Sequence, residues 1–230
     1  MVSSIFFIIF TSEILNQMKV TLLNVTPNAE DHIVEVARVS SSRKNKKDKP
    51  EGLLRYLVRH KHWSPFEHGH ATFEIETSKA IGIQLIRHRS FSFQEFSQRY
   101  QDVNRLGAIF EPIELRSQCE DNRQSSVEII DPIIQMESAA PASETIDAFL
   151  GKAHSLYNKL LEAGVARETA RMVLPLATTT KIHMTGSIRS WIHFLELRDD
   201  EHAQKEIQLV AQEIKKHFKK EFPIISGALW

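Results

Sequence analysis

Cysteine is almost absent from this sequence, because Cys119 is the only one among 230 residues. A single thiol cannot form a disulfide within the chain or a cysteine-based metal centre, and this composition is typical of a reducing compartment. We therefore expect a cytoplasmic protein. Cys119 stands in RSQCEDNRQSS, a polar and acidic stretch that does not suit a catalytic thiol.

An excess of charge is also absent, since 29 lysines and arginines balance 29 aspartates and glutamates. A chain without net charge has no general attraction to nucleic acid or anionic lipid, so a charged site has to be local. We expect neither a nucleic-acid partner nor a membrane partner.

Long hydrophobic runs are missing as well. The apolar residues 5–10 are too few to cross a bilayer, which takes ~20 residues. They are accompanied by no basic leader and no cleavage site of a secretory signal. A regular strand pattern begins after Met18. We therefore expect residues 1–17 to be a dispensable N-terminal extension and residues 18–230 to form one domain.

The hydrophobic periodicity predicts an α+β fold, in which a mixed sheet is packed by helices and the C-terminal half is largely helical. Gly164 is the expected end of the long helix that begins near Ser143, and acidic residues suit the start of the last helix. Residues 117–143 are predicted to be a polar surface excursion. The predicted strands are 19–25, 68–76 and 178–186. The predicted helices are 29–39, 53–58, 79–86, a long helix from 143 to shortly before Gly164, a short helix within 166–177 that Pro175 stops, 187–198 and 199–222.

Four histidines lie close together in the sequence: His60, His62, His68 and His70. Clustered histidines can bind a metal, but no HExxH pattern, cysteine ligand or suitably spaced acidic cluster accompanies them. His68 and His70 would share one face of the predicted strand, where packing or hydrogen bonding explains them. We therefore predict no metal site.

The most unusual stretch is RHRSFSFQEFSQRY, residues 87–100, which contains three arginines, three serines, three phenylalanines and a glutamate without Gly or Pro. In an extended chain every second side chain lies on the same face. The polar members of that face would be Arg87, Arg89, Glu95, Ser97 and Arg99. The stretch therefore predicts one wall of a binding site.

These side chains suit a nucleotide. Arg99 and Ser97 offer donors that bind phosphate, and Glu95 can accept from a ribose hydroxyl or a ring N–H. Phe91 and Phe93 can flank a flat ring. Because the Gly-rich motifs GxGxxG and GxxxxGK[ST] are absent, the pocket would be built from side chains.

Two other interpretations stay open on these residues alone. A nucleic-acid-binding module would use the same arginines and phenylalanines for phosphate contact and stacking. A helical interaction protein would instead pair its arginines internally, among them Arg171, Arg189 and Arg198, which stand next to apolar residues. Salt-dependent binding to single strands without flavin would favour the first, and a lack of any ligand dependence would favour the second.

The sequence contains an RHR-x7-S signature, which consists of Arg87-His88-Arg89, seven further residues and Ser97. Because of this signature, the sequence resembles the flavin-dependent thymidylate synthase family. The resemblance extends over most of residues 19–222, in the order of the family's motifs. The similar blocks are VARVS, HWSPFEH (62–68), QLIRHRSFSFQEFSQRY (84–100), ARMVLPLA (170–177) and SIRSWIHFLELRDDEHAQKEI (187–207).

This resemblance implies an α+β catalytic subunit that assembles into a homotetramer with FAD at the subunit junctions. It implies the reductive methylation of dUMP to dTMP without a cysteine nucleophile. The carbon donor would be 5,10-methylenetetrahydrofolate, and NADPH would supply reducing equivalents through FAD.

The resemblance also implies site residues. Arg198 matches the arginine that lies against the uracil ring, and His62 matches a histidine near the flavin and folate site. The positions that match dUMP-binding residues are Gln84, Arg87, Glu95, Ser97, Gln98, Arg99, Arg171 and Arg198. The positions that match FAD-binding residues are Ser64, Arg87, His88, Arg89, Glu95, Ser187, Arg189 and His193.

The sequence departs from the family pattern at a few of these positions. The family often has asparagine where Gln94, Ser187 and His193 stand, and a small residue where Gln98 stands. A backbone contact survives such a change, whereas a contact from a side-chain amide does not. A relative that binds FAD and nucleotide but turns over poorly is therefore a further alternative.

Overall fold

The computed structural model describes residues 18–39, 50–123 and 125–230. Residues 1–17, the predicted extension, lie outside the described residues. The described helices are α1 (Ala29–Arg38), α2 (Pro50–Arg59), α3 (Lys79–Leu85), α4 (Ala142–Glu162), α5 (Arg167–Ala170), α6 (Ile188–Arg198), α7 (Lys205–Glu221) and α8 (Pro223–Leu229). Short 3-10 helices occupy Ser64–His68, Val103–Arg105 and Arg171–Val173.

The described strands form one main sheet and two small ones. The strands are β1 (Lys19–Val25), β2 (His70–Ser78), β3 (Phe91–Glu95), β4 (Arg116–Gln118), β5 (Ser126–Ile129), β6 (Ile133–Gln135), β7 (Ala139–Pro141) and β8 (Thr179–Ser187). The main sheet has the order β1-β2-β8-β3, and the small sheets pair β4 with β5 and β6 with β7. Helices and sheets together confirm the predicted α+β class.

Alternation of apolar and polar residues explains how β2 and β8 lie in the main sheet. Ala71, Phe73 and Ile75 of β2 are buried, while the residues between them lie on the partly exposed face. On that second face, Glu74 of β2 lies 2.9 Å from Nε2 of His183 on β8. Such cross-strand pairs fix the register of neighbouring strands.

The described residues group into two compact units. The first unit contains Met18, Lys19, Glu76–Leu85 and Glu95–Ile182. The second unit contains Val20–Ile75, Ile86–Gln94 and His183–Trp230. Boundaries fall inside β1, β2, β3 and β8, so these strands contribute residues to both units.

The first unit is organised around α4. Tyr157 on this helix is fully buried and packs with Val103 and Ala170. The helix ends before Gly164, whose φ of 83° lies in the left-handed region that glycine adopts without strain. The N–H of Val165 then donates to the carbonyl of Leu160 at 2.9 Å, which closes the helix end as predicted.

The predicted surface excursion at 117–143 contains the two small sheets. β4 pairs antiparallel with β5, and β6 pairs antiparallel with β7. Most side chains of this region are exposed or partly exposed, including Val127 and Ile133.

Trp191 of α6 is the centre of an aromatic core in the second unit. Its ring centroid lies 4.9 Å from that of Phe73 and 4.6 Å from that of Phe91, both in edge-to-face contact. Its Nε1 donates to the carbonyl of Ala71 at 3.0 Å. Phe91 is therefore a core residue, and the prediction that it flanks a ligand ring is wrong.

The signature stretch is not extended throughout, contrary to expectation. Only β3 is a strand, and a turn lies on each side of it. The N–H of Phe91 donates to the carbonyl of His88 at 3.2 Å, and the N–H of Tyr100 donates to the carbonyl of Ser97 at 3.1 Å. These local hydrogen bonds remove the strict alternation that would have placed the polar residues on one face.

Two further predictions need correction. His68 belongs to the 3-10 helix Ser64–His68, so it does not share a strand face with His70. The last long helix begins at Lys205 instead of residue 199. Asp200 accepts from the backbone N–H and from Nδ1 of His202, each at 2.8 Å, and this turn delays the helix.

No helix among the described residues is long and apolar enough to cross a membrane.

We expect Gly186→Ala to destabilise the protein, because an added Cβ would lie 2.3 Å from a ring carbon of Phe91 in the aromatic core. The expected loss in the free energy of unfolding is about 1–3 kcal/mol. Gly151 on α4 is the matched control, since a Cβ there meets nothing within 4 Å. Gly151→Ala should stabilise by about 0.5–1 kcal/mol. Urea unfolding of both variants tests this, and equal effects would contradict the packing described.

Candidate functional site

In the second unit, the side chain of Arg198 is hydrogen-bonded to an uncharged histidine. Arg198 is the last residue of α6, and its Nε donates to Nε2 of His88 at 2.9 Å. His88 packs edge to face against Phe194, with ring centroids 4.9 Å apart. Burial, followed by the charges of Arg198 and His193, lowers the pKa of His88 to about 4. The imidazole is therefore uncharged at neutral pH, and its Nε2 is free of a proton and can accept.

Positive charge accumulates around this pair. Burial, and then the nearby charge of Arg87, lowers the pKa of Arg198. Within the part of the chain that the structure describes, Arg87, Arg89 and Arg198 contact no carboxylate. Like charges held together without a partner favour the binding of an anion, which would relieve their repulsion. Because the chain has no net charge, a charged site had to be local, and this cluster is such a site.

A cleft of about 400 Å³ opens in the same unit. α6 supplies most of its wall, and the 3-10 helix Ser64–His68 with the preceding tryptophan supplies much of the rest. Two of the predicted FAD-binding residues, Arg189 and His193, lie in this wall. The lining residues are Trp63, Glu67, Ser90, Arg189, Ser190, Ile192, His193 and Glu196.

Glu67 contacts two of the predicted residues, Arg189 and Ser187. Glu67 was not identified from the sequence as a site residue. Its Oε1 lies 2.8 Å from NH1 of Arg189, and its Oε2 accepts from Oγ of Ser187 at 2.6 Å. The Ser187 hydroxyl also accepts from the backbone N–H of Ser190 at 3.2 Å, which makes it the N-cap of α6. The one available signal was the position of Glu67 inside the HWSPFEH block.

Most of the predicted residues in the second unit are not among those that line the cleft. They are His62, Ser64, Arg87, His88, Arg89, Ser187 and Arg198. Ser64 is exposed at the start of its 3-10 helix. His62 is exposed beside Tyr56 and His60, with ring centroids 5.8 Å and 6.0 Å away. Lys61 between the histidines has a φ of 54°, a left-handed conformation that is uncommon for a residue other than glycine.

In the first unit, Glu95 is engaged within the protein. Its Oε1 accepts from Nζ of Lys79 at 2.8 Å and from Oγ1 of Thr180 at 2.9 Å. These two contacts fix the carboxylate at the end of β3. The contact with Lys79 balances its charge, so Glu95 can face an anionic ligand at a lower electrostatic cost.

Arg99 and Arg171 converge on one residue of α5. NH2 of Arg99 lies 3.7 Å from Oε2 of Glu168, and Nε of Arg171 donates to the carbonyl of Glu168 at 3.3 Å. The side chains of Arg99 and Glu168 are 52% and 60% exposed, and exposed ion pairs are weak. The structure therefore brings two predicted phosphate-binding arginines together and leaves both able to bind a stronger anion.

The remaining predicted residues of the first unit lie near β3 and on α3. Gln84 is half-buried on α3, and Ser97 is half-buried in the turn after β3. Gln98 is only 6% exposed, and its Nε2 has no hydrogen-bond partner among the described residues. Leaving a buried donor unsatisfied costs about 1–3 kcal/mol. This orphan N–H fits an acceptor that a ligand would bring.

The residues present fit the two groups that the family resemblance implies. Unpartnered guanidinium groups suit the diphosphate of FAD and the phosphate of dUMP, because a forked donor binds phosphate oxygens in pairs. The buried amide of Gln98 suits a carbonyl or phosphate oxygen. Among the described residues, no group of three or more His, Cys, Asp or Glu side chains could hold a metal ion.

Comparison with known proteins gives a consistent picture. A family model described as "Thymidylate synthase complementing protein" matches residues 21–224. The chain is 44% identical over 202 residues to a probable flavin-dependent thymidylate synthase of Paramecium bursaria Chlorella virus 1, covering 87% of this chain and 90% of the relative. It is 41% identical over 201 residues to a flavin-dependent thymidylate synthase of Synechocystis, covering 87% and 89%. A third such relative, from Dictyostelium discoideum, is 35% identical over 209 residues, covering 85% and 66%.

Replacing the orphan amide should separate stability from binding. We expect Gln98→Met to raise the melting temperature of the ligand-free protein, because it removes a buried unsatisfied donor and keeps a similar shape. It should weaken dUMP binding by about 1–3 kcal/mol if the nucleotide is the missing acceptor. Melting curves and titration calorimetry measure both quantities. Gln212→Met on α7, outside the predicted site, is the control. Unchanged dUMP affinity in the Gln98 variant would contradict this role.

Proposed function

The chain belongs to the flavin-dependent thymidylate synthase family, and we propose that it converts dUMP to dTMP with FAD as its cofactor. In this proposal 5,10-methylenetetrahydrofolate donates the carbon and NADPH the reducing equivalents. FAD, when bound, carries out the hydride chemistry that protein side chains cannot perform. We further propose a cytoplasmic homotetramer with FAD at the subunit junctions, as the family resemblance implies.

The observation that carries this proposal is the state of Arg198. Its guanidinium is partly buried, held at Nε by the neutral His88, and contacts no carboxylate among the described residues. A cation in this state keeps its full charge for a ligand. Two further arginines, Arg87 and Arg89, flank His88 in the sequence. They have no carboxylate partner in the described part of the chain and add to the attraction for phosphate.

The nucleotide-binding residues divide the work between charge and hydrogen bonding. Arg87, Arg99 and Arg171 bind the phosphate of dUMP, where forked guanidinium groups are effective. The smaller polar groups orient the sugar and the base. These are Gln84, Glu95, Ser97 and Gln98, and the unsatisfied amide of Gln98 supports this assignment.

Arg198 is the catalytic residue in this proposal. It stabilises the negative charge that develops on the uracil ring when C5 becomes nucleophilic. A donor that is already oriented costs no reorganisation at that moment, and it acts more strongly in a partly dry site than in water. The mechanism requires no cysteine on the pyrimidine, so the half-buried Cys119 has no part in it.

The flavin-binding residues are assigned in two ways. Arg87, His88, Arg89, Arg189 and His193 offer side chains to the cofactor, and the last two line the cleft of the second unit. Ser187 supports the site indirectly, because its hydroxyl caps α6 and contacts Glu67. The remaining assigned positions are Ser64 and Glu95, with His62 near the flavin and folate site.

The alternatives predict different outcomes. A nucleic-acid-binding module would bind single strands in a salt-dependent manner without flavin. A helical interaction protein would respond to neither nucleotide nor flavin. A relative with poor turnover would bind both and form little dTMP. Family membership is the finding that sets the synthase above the first two.

Two arginine variants should fail in different ways. Arg198→Ala should lower turnover far more than FAD content, because the lost charge acts on the pyrimidine. Arg99→Ala should mainly weaken dUMP binding, by about 1.5–3 kcal/mol for a charge-assisted contact. Rates at saturating substrate, FAD per subunit and dUMP dissociation constants are measured for both variants. Each variant serves as the control for the other, and equal damage to binding and turnover in both would count against these roles.

A further inference from the structure

We propose that His88 is a positioning residue for Arg198, whose guanidinium it orients by accepting from Nε. This inference rests on the proposed function, and it gives His88 a task other than contact with FAD. The contact measures 2.9 Å and joins residues 110 positions apart in the sequence. Because Nε is occupied, the two terminal amino groups of Arg198 remain for the nucleotide, and these form the fork that recognises planar acceptors.

His88 is itself held firmly enough to set an orientation. Its ring lies edge to face against Phe194 at 4.9 Å and against Phe91 at 6.4 Å between centroids. Both phenylalanines belong to the aromatic core around Trp191. The imidazole therefore transmits the rigidity of that core to the guanidinium, which ends α6 and would otherwise rotate freely about four side-chain bonds.

Only a neutral His88 can do this, and its surroundings keep it neutral. The charged or titratable groups beside it are Arg198 and His193 from α6, and Arg87 and Arg89 from its own segment. Partial burial and the charge of Arg198 disfavour a second proton on the ring. The unprotonated Nε2 requires the tautomer that carries its proton on Nδ1.

A neutral acceptor has an advantage over the usual carboxylate partner of an arginine. A carboxylate would orient Arg198 equally well, but it would also neutralise part of the charge that the nucleotide needs. The imidazole fixes the direction of the guanidinium and leaves its charge uncompensated. Catalysis gains from donors that are both oriented and charged before the reaction begins.

The test is a double-mutant cycle on the FAD-loaded protein. His88→Phe keeps a ring against Phe194 but removes the acceptor, and Arg198→Lys keeps a charge but removes the fork. His88→Gln restores an acceptor oxygen without the ring. Turnover at saturating substrates, the dUMP dissociation constant and the FAD dissociation constant are measured for wild type, the three single variants and the double variant that combines His88→Phe with Arg198→Lys. FAD is kept saturating in the first two assays.

If His88 acts through Arg198, His88→Phe lowers turnover about tenfold or more, and the double variant loses no more than Arg198→Lys alone. His88→Gln recovers part of the loss. If the two losses multiply, or if His88→Phe changes only the FAD dissociation constant, His88 is a flavin contact and the proposal is overturned.

The dUMP dissociation constants keep this test separate from the proposed function. If the wild type forms no dTMP, the synthase proposal fails. The double-mutant cycle is then evaluated on the dUMP dissociation constants instead of on turnover. Losses that fail to multiply there still support the positioning role of His88. Losses that multiply in dUMP binding overturn it, whatever the activity of the wild type.

Discussion

An uncompensated positive charge at Arg198 is the constraint on which the candidate site depends. The guanidinium is partly removed from water, stands near Arg87, and is held by an imidazole that carries no charge. Burial and the nearby charge of Arg87 cost stability in the free protein, and an anionic ligand reverses that cost. The aromatic core around Trp191 makes the arrangement possible, because it fixes His88 through Phe91 and Phe194.

The two units solve the problem of binding anions in different ways. In the second unit, the arginines of the signature and Arg198 lack carboxylate partners among the described residues. In the first unit, Arg99 and Arg171 meet at Glu168 through weak, exposed contacts that a phosphate can replace. The 2.8 Å pair of Glu95 with Lys79 is better shielded, since its side chains are only 22% and 29% exposed, and it holds the carboxylate in place.

Strong periodicity made much of the fold predictable. The inward residues Ala71, Phe73 and Ile75 of β2 follow directly from alternation, as does the end of α4 at Gly164. Local hydrogen bonds in turns could not be predicted from the sequence pattern. The turns on both sides of β3 interrupt the strand whose single polar face was predicted. The Asp200–His202 turn occupies the positions where the last helix was predicted to start. In the site, the signature arginines could be named from the sequence, whereas Glu67 could not be linked to Arg189. The two are 122 residues apart, and only the folded chain brings them together.

The proposed function requires that this protein bind both flavin and dUMP. The most direct measurement is the visible absorption spectrum of the purified and extensively washed protein, recorded before and after dUMP is added. We expect a two-band flavin spectrum that shifts when dUMP binds, because the nucleotide changes the surroundings of the flavin ring. A protein that is colourless, and that stays unresponsive to dUMP after FAD has been supplied, would contradict it.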